Sequence, residues 1–74
     1  MGTTPKYNDE DFIAVLTKKP VITRTVLKRL QEKDELYENI HYDTVRKTLI
    51  RLLAEKKIGG GRDEETGIYM WNKK

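Results

Sequence analysis

The chain has no cysteine, no serine and a single histidine, His41, among its 74 residues. Without cysteine there is no disulfide and no thiolate metal site, as expected for a reducing compartment. Without serine, cysteine or a second histidine, a nucleophilic triad cannot be assembled. A metal site would need carboxylates alone around one imidazole, and no such spacing stands out. No apolar run approaches the ~20 residues of a membrane span. The opening Met1-Gly2-Thr3-Thr4-Pro5 offers neither a signal-peptide core nor a processing site. The expectation is a soluble, cytoplasmic protein that is not an enzyme, needs no cofactor and shows no evident small-molecule ligand.

Charge is present but nearly balanced. Fifteen Lys+Arg against twelve Asp+Glu give a net charge of +3. An excess that small supports nucleic-acid binding only weakly, so the placement of the charges matters more than their sum. The acidic residues fall at a helix cap, in connections and at a turn. These are ordinary solvated places, not a catalytic pair.

A chain of this length makes one domain with a marginal core. Residues 1–8 read as a flexible polar tail, and 9–72 as the single domain. Asn8 or Asp9 caps a first helix over Asp9–Lys18, whose early acids suit the helix dipole and which Pro20 stops. Val21-Ile22-Thr23 is β-favouring and reads as a short strand, with Thr23 as cap for a second helix over Arg24–Lys33. Asp34–Asn39 is a polar connection, in which Leu36 and Tyr37 are the residues able to anchor to the core. His41 or Tyr42 opens a third helix over about 42–56. Val45, Leu49, Leu52 and Lys56 share one face of it, and the apolar members face inward. Its outer side carries Tyr42, Asp43, Arg46, Lys47 and Ile50.

Ile58–Arg62 and Gly67–Asn72 alternate as hairpin strands around a turn at Asp63-Glu64-Glu65-Thr66. A four-residue turn there pairs Ile58 with Trp71 and Gly60 with Tyr69, a glycine letting an aromatic ring lie across it. Gly59-Gly60-Gly61 is no phosphate cradle, because a helix precedes it and a strand follows. It suits a bulge or a close backbone approach. The fold class is α+β, mainly α: three helices, a C-terminal hairpin and a short strand between helices 1 and 2.

This order resembles the winged helix-turn-helix family of small transcription regulators. Ile40-His41-Tyr42-Asp43-Thr44-Val45-Arg46-Lys47-Thr48-Leu49-Ile50-Arg51-Leu52-Leu53-Ala54-Glu55-Lys56-Lys57-Ile58 is similar to its recognition-helix pattern. There a Thr-Val pair leads to a basic residue, two leucines, a charged pair and the apolar residue that starts the wing. Arg62–Trp71 resembles the wing hairpin. Two positions depart from the pattern. The family commonly has glycine where this chain has Lys57, and its wing tips are often Arg-rich where this one has Asp63, Glu64 and Glu65. An acidic tip is repelled by phosphate, which leaves Arg62 as the best wing contact.

The resemblance implies double-stranded DNA as partner, with helix 3 in the major groove. Arg46 and Lys47 read bases, since Arg takes guanine bidentately and Lys reaches guanine or phosphate. Tyr42 and Asp43 sit at the leading end, and Arg51, Arg24, Lys28 and Arg62 contact phosphate. The plain alternative for helix 3 is a solvated charged face. Ile50 either touches a partner or packs under Leu36 and Tyr37. Thr23 is a cap before it is a phosphate ligand, and His41 a cap or a phosphate contact. Tyr69 and Trp71 are core residues before they are base-stacking platforms. A winged helix that binds a protein partner, or a second copy of the chain, is the rival function. The acidic wing tip, the modest charge and an outward Ile50 favour it. A Z-form nucleic-acid binder fits less well, with Arg46 and Ile50 where that subfamily has Asn and Tyr and with no wing prolines.

Overall fold

The computed structural model describes residues 7–74. The expected tail at 1–8 thus falls mostly outside the described residues, but Tyr7 and Asn8 belong to the fold. Tyr7 stacks on Tyr37, and Asn8 caps the first helix by accepting the Glu10 N–H at 3.0 Å. The elements are α1 (Asp9–Ala14), β1 (Val21–Ile22), α2 (Thr23–Lys33), a single 3-10 turn (Glu35–Tyr37), α3 (Tyr42–Ala54), β2 (Gly59–Arg62) and β3 (Tyr69–Asn72). The fold is α+β, with three α-helices and a three-stranded antiparallel sheet in the order β1-β3-β2.

Helix α1 stops four residues short of the expected Lys18. Tertiary contacts claim the backbone that a longer helix would use. The Val15 carbonyl accepts the Arg29 guanidinium at 3.0 Å, and the Thr17 carbonyl accepts the Lys73 N–H at 2.6 Å. Lys19, directly before Pro20, is also steered out of helical backbone by the proline ring.

Thr23 is not the cap of α2. Ile22 holds the cap position, without a side-chain hydrogen bond. The Thr23 hydroxyl is buried and accepts the Trp71 indole N–H at 2.8 Å. Trp71 is itself fully buried, and an indole N–H taken out of water needs such a partner. One hydrogen bond therefore ties the start of α2 to the middle strand.

Of the two expected anchors in the connection, only Tyr37 is buried, while Leu36 stays 40% exposed. The Tyr37 ring meets Phe12 edge-on, and its hydroxyl donates to Asp11 Oδ2 at 2.7 Å. Burial, reinforced by that carboxylate, pushes the phenol pKa up to about 12. Val45, Leu49 and Leu52 of α3 face inward as the spacing predicts, and Ile50 is half-buried against the same core. His41 holds the cap position of α3 but makes no capping hydrogen bond with its side chain.

Helix α3 ends at Ala54, two residues before the expected limit, through a paired C-terminal motif. Lys56 N–H bonds the Leu53 carbonyl and Lys57 N–H the Leu52 carbonyl, each at 3.0 Å. Lys56 adopts the left-handed φ of 62° that this motif demands. The residue doing the work of a glycine is thus Lys56, one position before the Lys57 singled out from the sequence pattern.

The hairpin register differs by two residues from the expected one. Gly60 pairs with Trp71 and Arg62 with Tyr69. Gly67 is the cause. Its φ of 72° and its N–H bond to the Asp63 carbonyl place it in the turn, not in a strand. A shift of two keeps every side chain on its face. The glycine-opposite-aromatic arrangement therefore survives with Trp71 in place of Tyr69. Gly60 has φ 125°, and a Cβ there would lie 2.2 Å from the Met70 carbonyl oxygen, so only glycine fits. Val21 of β1 flanks Trp71 on its other side.

Two stability outcomes follow. Thr23→Val keeps the shape but orphans the indole N–H, and should cost about 1–3 kcal/mol in urea unfolding followed by Trp71 fluorescence, while Thr23→Ser should cost far less. Lys56→Gly relieves the left-handed strain and should raise stability by about 1 kcal/mol, seen as a higher midpoint at unchanged slope.

Candidate functional site

The start of α2, the start of α3 and the β2–β3 hairpin meet around one open groove of about 740 Å³. Pairing of Ile22 with Met70 brings the first turn of α2 beside the hairpin. That turn contributes Ile22, Thr23 and Arg24; α3 contributes Tyr42 and Arg46; the hairpin contributes Arg62, Gly67, Ile68 and Tyr69. Three arginines from three separate elements thus face one concavity.

Four of the eight residues expected at the site therefore come together: Arg24, Tyr42, Arg46 and Arg62. Among the described residues, none of the three arginines has a salt bridge or a side-chain hydrogen bond to another residue. Arg46 is placed by the ring of Tyr69, with its guanidinium carbon 5.8 Å from the ring centroid. Arg62 runs alongside Gly67, where an added Cβ would lie 3.5 Å from its Nη2. No carboxylate and no imidazole lines the groove. Its walls offer guanidinium donors, one free phenol edge from Tyr42 and apolar surface, a combination suited to holding an anion beside a flat or apolar group.

The other four expected residues lie elsewhere. Lys28 lines a smaller adjoining groove of about 470 Å³ with Arg24, Thr25, Arg29, Glu32 and Ile22. Lys47 and Asp43 pair with each other at 3.2 Å on the exposed side of α3. A pair so exposed contributes little, so Lys47 stays available to a ligand. Arg51 points away from the groove towards α1. Its Nη2 meets Asp9 Oδ1 at 2.5 Å and its Nη1 meets Glu55 Oε1 at 3.3 Å. The Arg51 guanidinium, hydrogen-bonded to Asp9, holds that carboxyl below its ordinary pKa.

Of the groove's apolar rim, the sequence reading named Tyr42 and missed Ile22 and Ile68. Ile22, Tyr42 and Ile68 are 41%, 48% and 50% exposed, and all three border the groove. Tyr69 was expected as core first and as a base-stacking platform second; it is half-buried and forms a wall. The signal was its position two residues from Trp71 towards the tip, on the same face but beyond the reach of the helices. At the tip, Asp63 accepts the Glu65 N–H at 2.8 Å, and the acids there lie outside the groove.

Among the described residues, no group of three His, Asp or Glu side chains is placed to hold a metal ion, and no helix is long and apolar enough to cross a membrane. Comparison of the chain with protein-family models, with curated proteins and with solved structures gives no match.

The Asp9–Arg51 pair has a pH signature. A carboxyl depressed in the folded state adds stability above its unfolded pKa, about 3.9, and loses it as pH falls through the lower folded value. Below about pH 4 the wild type should therefore lose stability more steeply than Arg51→Gln, as measured by urea midpoints across the acid range.

Proposed function

We propose that this chain is a winged-helix module that binds double-stranded DNA, as a transcription regulator and not as an enzyme. The observation that carries the reading is the groove itself. Arg24, Arg46 and Arg62 converge there from α2, α3 and the wing without an acidic partner among the described residues. The element order supports it, because helix, short strand, two helices and hairpin is the order that resembles the family, and the short strand pairs with the hairpin.

On this reading α3 leads into the major groove with Arg46 directed at base edges and Tyr42 beside it. Arg24, Arg62 and Lys28 flank that helix and neutralise phosphates. Lys47 contributes from the exposed face after leaving Asp43. Arg51 drops out of the contact set, because Asp9 and Glu55 already engage it. The acidic tip lies outside the groove and is repelled by phosphate, so the wing contributes mainly through Arg62. The module would act in the cytoplasm, on the nucleoid.

A second reading has its own support. Ile22, Tyr42 and Ile68 put apolar surface around the same groove, as a site for a protein partner or a second copy of the chain would. Salt separates the two. Phosphate neutralisation makes affinity fall linearly on a log–log plot against salt, whereas an apolar contact responds weakly.

The test is fluorescence anisotropy on a duplex enriched from a random library. Replacing both Arg24 and Arg62 with Ala should weaken binding and reduce the salt slope by about 2. Arg46→Ala should relax base preference, and Arg51→Gln should leave affinity and slope unchanged. Unaltered binding by the Arg24, Arg46 and Arg62 triple alanine variant would sink the proposal.

A further inference from the structure

We infer that Tyr69 is the positioning residue that aims Arg46, and that it thereby sets the selectivity of the groove. The inference rests on the duplex-DNA reading above. It begins with strand alternation, which puts Tyr69 and Trp71 on the same face of β3. Trp71 cannot move: it is fully buried, it lies against Gly60, and its indole N–H is held by Thr23. The Tyr69 ring lies flat on it, with centroids 5.2 Å apart and planes 5° from parallel. The Arg46 guanidinium sits over the Tyr69 ring, 5.8 Å from its centroid. A continuous stack therefore runs from the buried Thr23 hydroxyl to an exposed cation.

An arginine on the outside of a helix ordinarily samples many rotamers, and ordering them opposes binding. Arg46 is exposed and has no acidic partner among the described residues, so the ring is what restrains it. The attraction is between the cation and the negative π face. It uses none of the five N–H donors, which remain for a ligand. Bidentate contact with guanine needs those donors at a defined angle, and a preset angle favours it over a phosphate reached from any direction. The Tyr69 hydroxyl makes no hydrogen bond among the described residues. The ring alone carries the role, and phenylalanine should replace it.

The experiment compares wild type, Tyr69→Phe and Tyr69→Leu on the library-selected duplex, on its guanine-to-adenine variants and on an unrelated duplex. Tyr69→Leu should bind the selected duplex about fivefold more weakly and discriminate less between guanine and adenine. Its salt slope and its affinity for the unrelated duplex should match wild type, a pattern that loss of folding cannot produce. Tyr69→Phe should behave as wild type. In the free protein, the Arg46 δ-methylene protons should show an upfield ring-current shift that persists in Tyr69→Phe and vanishes in Tyr69→Leu. A Leu variant that discriminates as well as wild type overturns the inference and leaves the DNA reading standing. So does a Phe variant as impaired as Leu, or an absent ring-current shift. If wild type enriches no duplex at all, the DNA reading fails and the inference falls with it.

Discussion

A buried indole N–H has to find an acceptor, and in this fold one threonine supplies it. The Trp71–Thr23 bond joins the middle strand to the first residue of α2, 48 positions earlier in the chain. With it come Val21 and Ile22, paired to β3, and Arg24 one residue on. The same indole is the base on which Tyr69 rests. That bond and the pairing of β1 with β3 together fix the start of α2 against the hairpin. A domain this small has few other means of fixing loops to one another.

The charge pattern divides into two populations. Arg29 and Arg51 are structural: one satisfies the carbonyl left open at the end of α1, the other straps α3 to Asp9 at its beginning. Arg24, Arg46 and Arg62 have no acidic partner among the described residues and line one groove. A net charge of +3 understates the local field, because no acid lines the groove and several are held at caps, in the α1–α3 strap and at the hairpin tip.

Helix α2, the inward face of α3 and the hairpin's two-residue alternation were legible in the sequence, because each rests on local periodicity. The groove was half legible. Arg46 and Arg62 could be placed from the helix phase and the turn, but Arg24 joins them only through the pairing of β1 with β3. Arg51 was expected to contact phosphate, one turn beyond Arg46. It differs because α1 packs with its first residue, Asp9, against Arg51, a tertiary fact with no local trace. The fate of Thr23 was hidden for a related reason. A threonine before a helix reads as a cap, and only the distant indole gives its hydroxyl another use. At Gly67 the competing principle was turn chemistry: a residue counted into the strand is needed in the left-handed conformation.

The glycine run has a further consequence for how the protein behaves at high concentration. A three-stranded sheet exposes two rims where unpaired backbone could recruit another molecule. One rim, β1, is only two residues long. The other, β2, is Gly59-Gly60-Gly61-Arg62, bent by a φ of 125° at Gly60 that a regular ladder cannot continue. Neither rim is a good template for adding a strand, and Arg62 adds charge at the outer end. The glycines that make room for Trp71 thus also protect the sheet from edge-to-edge aggregation.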